Sequence, residues 1–207
     1  MKETLKELYN TGNYGDSDKG TIHSYMNSYY SKEFTPIKNE KLIFVEIGVR
    51  GGGSINLWKD WFINSKIVGI DNGYESSLPS IGGVDFTTVD KRVEGNLILI
   101  DGDAYDDSVV DIFEDNSIDY LIDDGPHTIE SQLDCVKKYF KKIKPGGKII
   151  IEDLQVPPAA YGSVEQFAEK FKQLELFKTT PFNLEILDLR NVKGQYDDVL
   201  FIFNKNI

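Results

Sequence analysis

The chain has 207 residues, of which 40% are hydrophobic and 12% aromatic, and its formal net charge at pH 7 is −11. This composition suits one globular domain with a substantial core and excludes global disorder. The negative charge argues against binding to duplex nucleic acid or to an anionic membrane surface, since both require clustered Lys and Arg side chains.

The sequence carries no signal for export or membrane insertion. No apolar run approaches the roughly 20 residues that span a bilayer, and residues 1–5 lack the apolar segment of a signal peptide. The single cysteine, Cys135, has no partner in the chain for a disulfide, and we expect it to be a small buried side chain of a helix. We therefore expect a reducing, cytoplasmic setting and no membrane partner.

The first 38 residues are polar and rich in aromatic side chains. Apolar residues around Leu5 predict a short first helix. Apolar and aromatic residues at helical spacing predict a second helix from about Ile22 to Phe34, with the aromatic stripe in the core and His23 on the helix surface or at its cap. We expect residues 1–38 to be a helical extension of a Rossmann-like core at residues 39–207, all within a single domain.

From residue 41 the pattern changes to short apolar strands that alternate with helices. The predicted strands are residues 42–47, 67–70, 97–100, 118–122 and 148–151, with helices at 55–61, 87–93, 107–113 and 129–143 and a loop at 72–85. A further helix at 164–177 precedes two strands at 184–189 and 199–203. The predicted fold class is α/β, a Rossmann-like, doubly wound, mostly parallel seven-stranded sheet with an antiparallel strand near the C-terminus.

A glycine-rich loop joins the first predicted strand to the helix that follows it. Gly48 and three glycines at 51–53 let backbone N–H groups approach a ligand at a helix N-terminus. Glu46 precedes Gly48, and Asp71 lies about 20 residues past the glycines, from where a carboxylate reaches ribose hydroxyls. The spacing departs from the dinucleotide pattern G-x-G-x-x-G, and a carboxylate is unfavourable beside a pyrophosphate but tolerable beside a sulfonium. The loop therefore favours S-adenosylmethionine over NAD.

Residues 120–127 (YLIDDGPH) form an apolar strand that ends in two carboxylates, a turn and an imidazole. Ligands of open α/β sheets bind beyond the carboxyl ends of the strands, which is where Asp124 and His127 are expected. Glu152 and Asp153 follow the next strand in the same way, and three converging carboxylates favour a divalent cation such as Mg²⁺. The structural alternatives are an Asx turn with His127 as a helix cap, and Glu152-Asp153 as a cap of the segment that follows.

Together these motifs resemble a known family. The glycine motif at residues 46–54 resembles the first motif of class I S-adenosylmethionine-dependent methyltransferases. The order of motifs resembles the metal-dependent sugar O-methyltransferases that act on macrolide antibiotics, of the mycinamicin and demethylmacrocin type. Across roughly residues 11–154 the matching motifs are Asp18-Lys19-Gly20-Thr21, the glycine motif, Gly69-Ile70-Asp71, Gly102-Asp103, residues 122–127, Lys144-Pro145-Gly146-Gly147 and Ile151-Glu152-Asp153-Leu154. Pro126 departs from the family, in which Ser is common at this position.

The resemblance implies a class I methyltransferase domain over residues 1–207 and a metal-dependent active site. Asp124, Glu152 and Asp153 would hold Mg²⁺ or another divalent cation. His127 would be the general base, and with Asp124 it forms the expected catalytic pair.

The donor, S-adenosylmethionine, would be bound by residues of the first half of the chain. Glu46, Gly48 and Gly51 are assigned to its methionine end, Asp71 to its ribose, and Asp103 with Ala104 to the adenine edge. Asp18 and Lys19 would cover the bound cofactor, an assignment that rests on the resemblance alone.

The resulting hypothesis is Mg²⁺-dependent methylation of a sugar hydroxyl, free, nucleotide-linked or within a glycoside. Such a hydroxyl holds its proton tightly, so a base and a cation are both useful. One alternative keeps the fold and methylates a phenolic or catechol hydroxyl of a small molecule; another is a non-catalytic S-adenosylmethionine-binding module. The sequence leaves open whether the chain forms a homo-oligomer.

Overall fold

The structure is a computed structural model that describes residues 3–14, 17–73, 91–155 and 163–206. The chain divides into two compact units, Met1–Ala104 and Tyr105–Ile207. The helical N-terminal segment belongs to the first unit together with the first strands, and the single domain stays a prediction. Most of the loop predicted at 72–85 and of the helix predicted at 87–93 lies outside the described residues.

The first unit begins with the predicted short helix, α1 (Leu5–Thr11). A capping box starts it: the Thr4 hydroxyl accepts a hydrogen bond from the Glu7 N–H, and the Glu7 carboxylate accepts one from the Thr4 N–H. These bonds satisfy N–H groups that have no partner within the helix.

The second helical segment is a π-helix (Met26–Tyr30) that continues into α2 (Ser31–Phe34). It starts later than predicted because the Asp18 carbonyl accepts from the N–H groups of Thr21, Ile22 and His23, which closes a turn first. The stripe is confirmed as core for four of its five residues, since Tyr25, Met26, Tyr29 and Tyr30 are buried.

Two parts of that prediction are wrong. Ile22 does not join the stripe, because it lies in the preceding turn with 51% of its side chain exposed. His23 is buried rather than on a helix surface, and its ring stacks on Tyr25 with the centroids 5.0 Å apart.

The sheet of the first unit contains β1 (Ile43–Ile47), β2 (Lys66–Asp71), β3 (Lys91–Glu94) and β4 (Leu97–Asp101), in the order β3-β4-β2-β1. β2 pairs in parallel with both β1 and β4. α3 (Gly53–Trp61) follows the glycine-rich loop. On it, Trp58 packs against Tyr30 and Phe34, with ring centroids 5.4 and 5.5 Å apart.

β3 shows that the described part of the helix predicted at 87–93, residues 91–93, is a strand. It pairs antiparallel with β4 in a hairpin whose register brings Glu94 opposite Leu97. The two-residue loop is Gly95-Asn96, and Gly95 has a φ of 60°, as a hairpin turn of this length requires. A Gly-Asn pair between short strands indicates a hairpin, and this local signal is more informative here than the helical periodicity of residues 87–93.

The sheet of the second unit contains β5 (Ile118–Asp123), β6 (Ile143–Ile151), β7 (Phe182–Asp188) and β8 (Val199–Lys205), in the order β5-β6-β8-β7. β5 and β6 are parallel, whereas β8 is antiparallel to both of its neighbours. The helices are α4 (Asp107–Val110), α5 (Ile129–Tyr139), α6 (Val164–Lys172) and α7 (Arg190–Lys193), with a 3₁₀ turn at Glu175–Lys178. Cys135 is buried in α5, as predicted.

Pro145-Gly146-Gly147, which precedes the strand predicted at 148–151, lies inside β6. Ile118 pairs with Ile143 and Tyr120 with Lys148, so residues 144–147 bulge opposite the single residue Asp119. A Cβ on Gly147 would lie 2.7 Å from the Asp119 carbonyl oxygen, so the bulge requires glycine there.

All seven predicted strands are present, and the described residues add an eighth, β3. The predicted fold class is confirmed, with parallel strands in both units and an antiparallel strand near the C-terminus. No helix in the described part of the chain is long and apolar enough to cross a bilayer.

Candidate functional site

The glycine-rich loop leaves β1 through backbone conformations that L side chains rarely adopt. Gly48 has a φ of 84° and donates its N–H to the Ile70 carbonyl at 2.9 Å. Gly52, with a φ of 85°, is the residue from which α3 starts. Glycine is required at these two positions because their backbone is left-handed. Both glycines let the chain turn tightly between strand and helix.

Asp71, at the end of β2, holds this loop in place. Its Oδ2 accepts hydrogen bonds from the N–H groups of Val49 and Arg50, both at 2.9 Å, and its Oδ1 accepts from the Gly73 N–H at 3.1 Å. Arg50 has a φ of 45°, so the carboxylate secures the loop where its backbone is strained. The sequence predicted that Asp71 binds a ribose, but it did not predict that Asp71 holds the glycine-rich loop.

Lys19 and Glu46, two residues assigned to the donor site, are brought together in the structure. Lys19 Nζ lies 3.4 Å from Glu46 Oε1, and both side chains are almost fully buried, with 1% and 0% exposed. Buried charges require partners, and this pair joins the N-terminal segment to β1. The backbone carbonyl of the neighbouring Asp18 accepts hydrogen bonds from the N–H groups of the turn that follows. The carboxylate Oδ2 of Asp18 lies 4.0 Å from His23 Nε2.

Asp103 and Ala104 follow the end of β4. The N–H of Gly102 donates to the Asp71 carbonyl at 2.9 Å, so the chain leaves β4 beside β2. Asp103 is exposed and Ala104 is buried. The residues predicted for the donor thus lie in the first unit, near the carboxyl ends of its parallel strands or joined to them through Lys19.

The acidic residues of the second unit follow two adjacent parallel strands. Asp124 comes directly after β5, and Glu152 and Asp153 come directly after β6. Asp123 and Ile151 are register partners, so both acidic segments start at the same edge of the sheet. The Glu152 N–H donates to the Asp123 carbonyl at 3.0 Å, which continues the pairing past the strand ends.

Asp124, His127 and Asp153 meet at this edge, and we call them the acidic-imidazole cluster. His127 Nε2 lies 3.1 Å from Asp124 Oδ1 and 3.7 Å from Asp153 Oδ2. One ligand atom of each residue lies within 4.8 Å of the other two, which is close enough for a shared metal ion. The convergence predicted from the sequence is therefore observed for three of the four residues.

Two members of the cluster adopt left-handed backbone conformations. His127 has a φ of 59° and Asp153 a φ of 50°. Only four non-glycine residues of the described chain have a positive φ, the others being Arg50 and Asn116. Such strain costs of order 1–3 kcal/mol and is concentrated at functional sites.

The carboxylates determine the protonation of the imidazole. Burial lowers the pKa of His127, but the hydrogen bond and charge of Asp124, and the charge of Asp153, outweigh it, so the pKa is raised. Beside the cluster, burial raises the pKa of Asp123 to about 6, against hydrogen bonds from the Tyr105 hydroxyl and the Gly125 N–H. Tyr105 donates at 2.8 Å, and no spacing in the sequence had linked it to Asp123.

Glu152, the fourth predicted residue, is buried, and its carboxylate is not part of the acidic-imidazole cluster. Its carbonyl accepts a hydrogen bond from Gln132 Nε2 at 3.1 Å. Its assignment to a metal stays a prediction.

The chemical groups in the acidic-imidazole cluster indicate which metal ion it would bind. Two carboxylates with water and substrate oxygens suit Mg²⁺, whereas an imidazole ligand is typical of zinc and other transition metals. The residues present fit Mg²⁺ if Asp124 and Asp153 are ligands and His127 is not one.

Comparison with known proteins agrees with the motifs. No family model matches the sequence. The 8-demethyl-8-alpha-L-rhamnosyl tetracenomycin-C 2′-O-methyltransferase of Streptomyces olivaceus is 29% identical over 160 residues, which are 72% of this chain and 38% of the relative. The demethylmacrocin O-methyltransferase of Streptomyces fradiae is 28% identical over 205 residues, 94% of this chain and 48% of the relative. The chain spans less than half the length of these two relatives, and its resemblance to the sugar O-methyltransferases is confirmed.

The fold is shared with solved methyltransferase structures. The methyltransferase MycE of the mycinamycin pathway, solved with Mg, SAH and mycinamycin VI, gives a TM-score of 0.68 at 21% identity over 99% of this chain and 55% of that one. The fibrillarin pre-rRNA processing protein of Methanococcus jannaschii gives 0.58 at 16% identity, over 81% and 68%. The chain has the class I methyltransferase fold.

Proposed function

We propose that the chain is an S-adenosylmethionine-dependent, Mg²⁺-dependent O-methyltransferase that methylates a sugar hydroxyl, free, nucleotide-linked or within a glycoside. His127 is the general base. The observation that carries the proposal is the acidic-imidazole cluster, in which two carboxylates and an imidazole meet beyond the ends of β5 and β6. Two of its three residues are held in strained backbone, which is typical of a site selected for function.

The first unit would bind the methyl donor. The left-handed turn at Gly48 and the loop through Gly51 would admit the methionine end, with Glu46 and Lys19 beside it and Asp18 over it. A carboxylate offers about four lone-pair sites, and the Asp71 carboxylate uses three for backbone N–H groups. Among the described residues, these bonds leave one acceptor site for a ribose hydroxyl.

The adenine edge of the donor is assigned to Asp103 and Ala104. The exposed Asp103 would present a carboxylate toward the amino group of the base, and the buried Ala104 an apolar surface toward the ring. Both residues come just after β4, from which Gly102 separates them, and β4 is one of the parallel strands whose carboxyl ends form the expected ligand edge.

The second unit would hold the cation and the base. Asp124 and Asp153 fit Mg²⁺ in the cluster, and we assign Glu152 to the same ion from the resemblance. When bound, Mg²⁺ would stabilise negative charge that develops on the acceptor oxygen. His127 Nε2 lies beside both carboxylates, so the imidazole would take the hydroxyl proton next to the charge-stabilising group.

S-adenosylmethionine would supply an activated methyl group, so the acceptor alcohol is the partner that requires activation. The chain therefore has three tasks: to orient the donor, to exclude water and to remove one proton at His127 Nε2. The name of the Streptomyces olivaceus relative supports this assignment, because that protein is named as the 2′-O-methyltransferase of a rhamnosyl tetracenomycin. The buried thiol of Cys135 agrees with the cytoplasmic setting that we propose.

The test measures methyl transfer from S-adenosylmethionine to a panel of pyranosides and to catechol. We expect transfer to a pyranoside that is lost with EDTA and restored by Mg²⁺. His127→Ala should lower the rate by about 10²- to 10⁴-fold, the range of general base catalysis, while calorimetry shows unchanged donor affinity. Asp124→Asn should lower the rate and the response to Mg²⁺, whereas Asp134→Asn, which removes an exposed carboxylate of α5 paired with Lys137, should change neither.

Other results would assign a different function. Transfer to catechol alone would identify a phenol methyltransferase. Donor binding without transfer to any acceptor would indicate a binding module, and activity indifferent to EDTA would remove the metal from the proposal.

A further inference from the structure

The connection between β7 and β8, residues 189–198, lies at the same sheet edge as the acidic-imidazole cluster. β8 is antiparallel to β6, with Ile151 opposite Phe201, so the chain enters β8 where β6 ends. The N–H of Leu154, the residue after Asp153, donates to the Val199 carbonyl at 3.5 Å. The pairing therefore continues past the end of β6 and brings the connection next to Asp153.

The connection is a closed turn rather than an open loop. The Leu189 N–H donates to the Asp198 carbonyl at 2.8 Å, which joins its two ends. α7 occupies its first half and ends at Gly194, whose φ is 79°. The guanidinium of Arg190 contacts the Asp188 carboxylate at 2.6 Å. Side chains on this connection are therefore presented from a defined backbone, as a binding site requires.

Tyr196 is the large aromatic side chain that this connection exposes, with 59% of its surface accessible. It lies three residues before Val199, whose carbonyl bonds to the residue after Asp153.

An exposed tyrosine beside carboxylates matches the chemistry of a pyranose ring. One face of a pyranose is lined with C–H bonds that pack on the electron-rich face of an aromatic ring, and its rim carries hydroxyls that bond to carboxylates and to the phenol. Single exposed apolar residues are ordinary on protein surfaces, but this one lies on the connection that the strand register brings next to Asp153.

We propose that the β7–β8 connection forms the acceptor subsite of this protein and that Tyr196 stacks on a pyranose ring of the acceptor. The inference rests on the proposed function for the reaction, but it concerns binding and is testable without turnover. It assigns acceptor recognition to residues that follow the cluster in the sequence and that lie outside the motifs of residues 11–154.

The experiment is saturation-transfer NMR and titration of methyl pyranosides of gluco, manno and 6-deoxy-manno configuration, with Mg²⁺ and S-adenosylhomocysteine present. We expect transfer to be strongest at C–H protons on one face of the sugar. Tyr196→Ala should weaken binding about tenfold, the loss of roughly one stacked aromatic contact, while Tyr196→Phe should stay within about threefold because it keeps the ring. Affinity for S-adenosylhomocysteine should not change in either variant.

The control Ile112→Ala truncates another exposed side chain of the second unit, on the segment that leads into the amino end of β5. It should bind pyranosides as the unmodified protein does. His127→Ala should bind them too, since it removes only the proposed base. In the unmodified protein, binding without turnover would support the subsite and contradict the proposed reaction. Equal binding by Tyr196→Ala and the unmodified protein, or no binding of any pyranoside, would each overturn the subsite.

Discussion

Adjacent residues of the 120–127 segment have different environments because successive residues of a strand face opposite sides. Asp123, the last residue of β5, is buried and accepts a hydrogen bond from Tyr105 at 2.8 Å. Asp124, one residue later, lies with His127 and Asp153. The same chemical group therefore serves as a turn anchor at one position and as a candidate metal ligand at the next.

Asp71 shows a comparable division of roles at the donor site. Its carboxylate accepts three backbone hydrogen bonds, two of them from the glycine-rich loop. Asp71→Asn leaves a single, uncharged oxygen as acceptor, so at least one of these bonds is lost and those that remain are weakened by the loss of the negative charge. We expect a loss of about 1–3 kcal/mol in the free energy of unfolding, measured in urea, and faster hydrogen exchange at the Val49 and Arg50 amides without any ligand.

Asp101→Asn is the matched control for Asp71→Asn. Asp101 is the register partner of Asp71 on β4, and neither loop amide bonds to it. Exchange at the two amides should not change in this variant. Unchanged protection in Asp71→Asn would show that the loop holds its conformation without the carboxylate.

At the scale of elements, the bulge in β6 sets the register between β5 and β6. Residues 144–147 lie opposite Asp119 alone, after which Tyr120 pairs with Lys148 and Asp123 with Ile151. This register brings Asp153, just past β6, to Asp124, just past β5. The Lys-Pro-Gly-Gly motif of the family resemblance thus has a structural task at the opposite end of the strand from the cluster.

Gly147→Ala tests this task. A Cβ would lie 2.7 Å from the Asp119 carbonyl oxygen, and backbone yields less readily than a side chain. We expect a loss of about 2–3 kcal/mol in the free energy of unfolding, measured in urea, together with weaker Mg²⁺ affinity by calorimetry. Gly95→Ala, where a Cβ meets nothing within 4 Å but φ is 60°, should lose only about 1 kcal/mol. A smaller loss at Gly147 than at Gly95 would mean that the bulge can shift without consequence.

At the scale of the whole molecule, the two units carry different halves of the expected chemistry. Asp18, Lys19, Glu46, Gly48, Gly51, Asp71, Asp103 and Ala104 all belong to Met1–Ala104, whereas Asp124, His127, Glu152 and Asp153 belong to Tyr105–Ile207. Donor binding and cation binding are therefore expected to respond to separate sets of substitutions.

The stability that each ligand adds to the folded protein shows whether donor binding and cation binding depend on separate residues. A ligand that binds only the folded state at 100 times its dissociation constant adds about 2.7 kcal/mol to the free energy of unfolding. Mg²⁺ should raise the midpoint of thermal unfolding, and Asp153→Asn should abolish that rise while the rise with S-adenosylhomocysteine remains. Asp134→Asn should keep both. A Mg²⁺ effect that survives in Asp153→Asn would place the cation elsewhere.

The sequence by itself determined the fold class, the seven predicted strands and the order of the motifs. These features are local: apolar runs predict strands, and glycines such as Gly48 and Gly52 occur where the backbone is left-handed. Helix bounds and the β3 hairpin were less well predicted, since the turn at Asp18 and the Gly95-Asn96 loop compete with helical periodicity.

Only the tertiary structure decided which side chains meet. The β5–β6 register brings Asp124, His127 and Asp153 within 4.8 Å of one another and leaves the Glu152 carboxylate out of the group. The bonds from Asp71 to the glycine-rich loop and the position of Tyr196 likewise depend on which strands pair. The physical reason is that pairing between strands joins residues far apart in the chain, and a local pattern carries no information about that register.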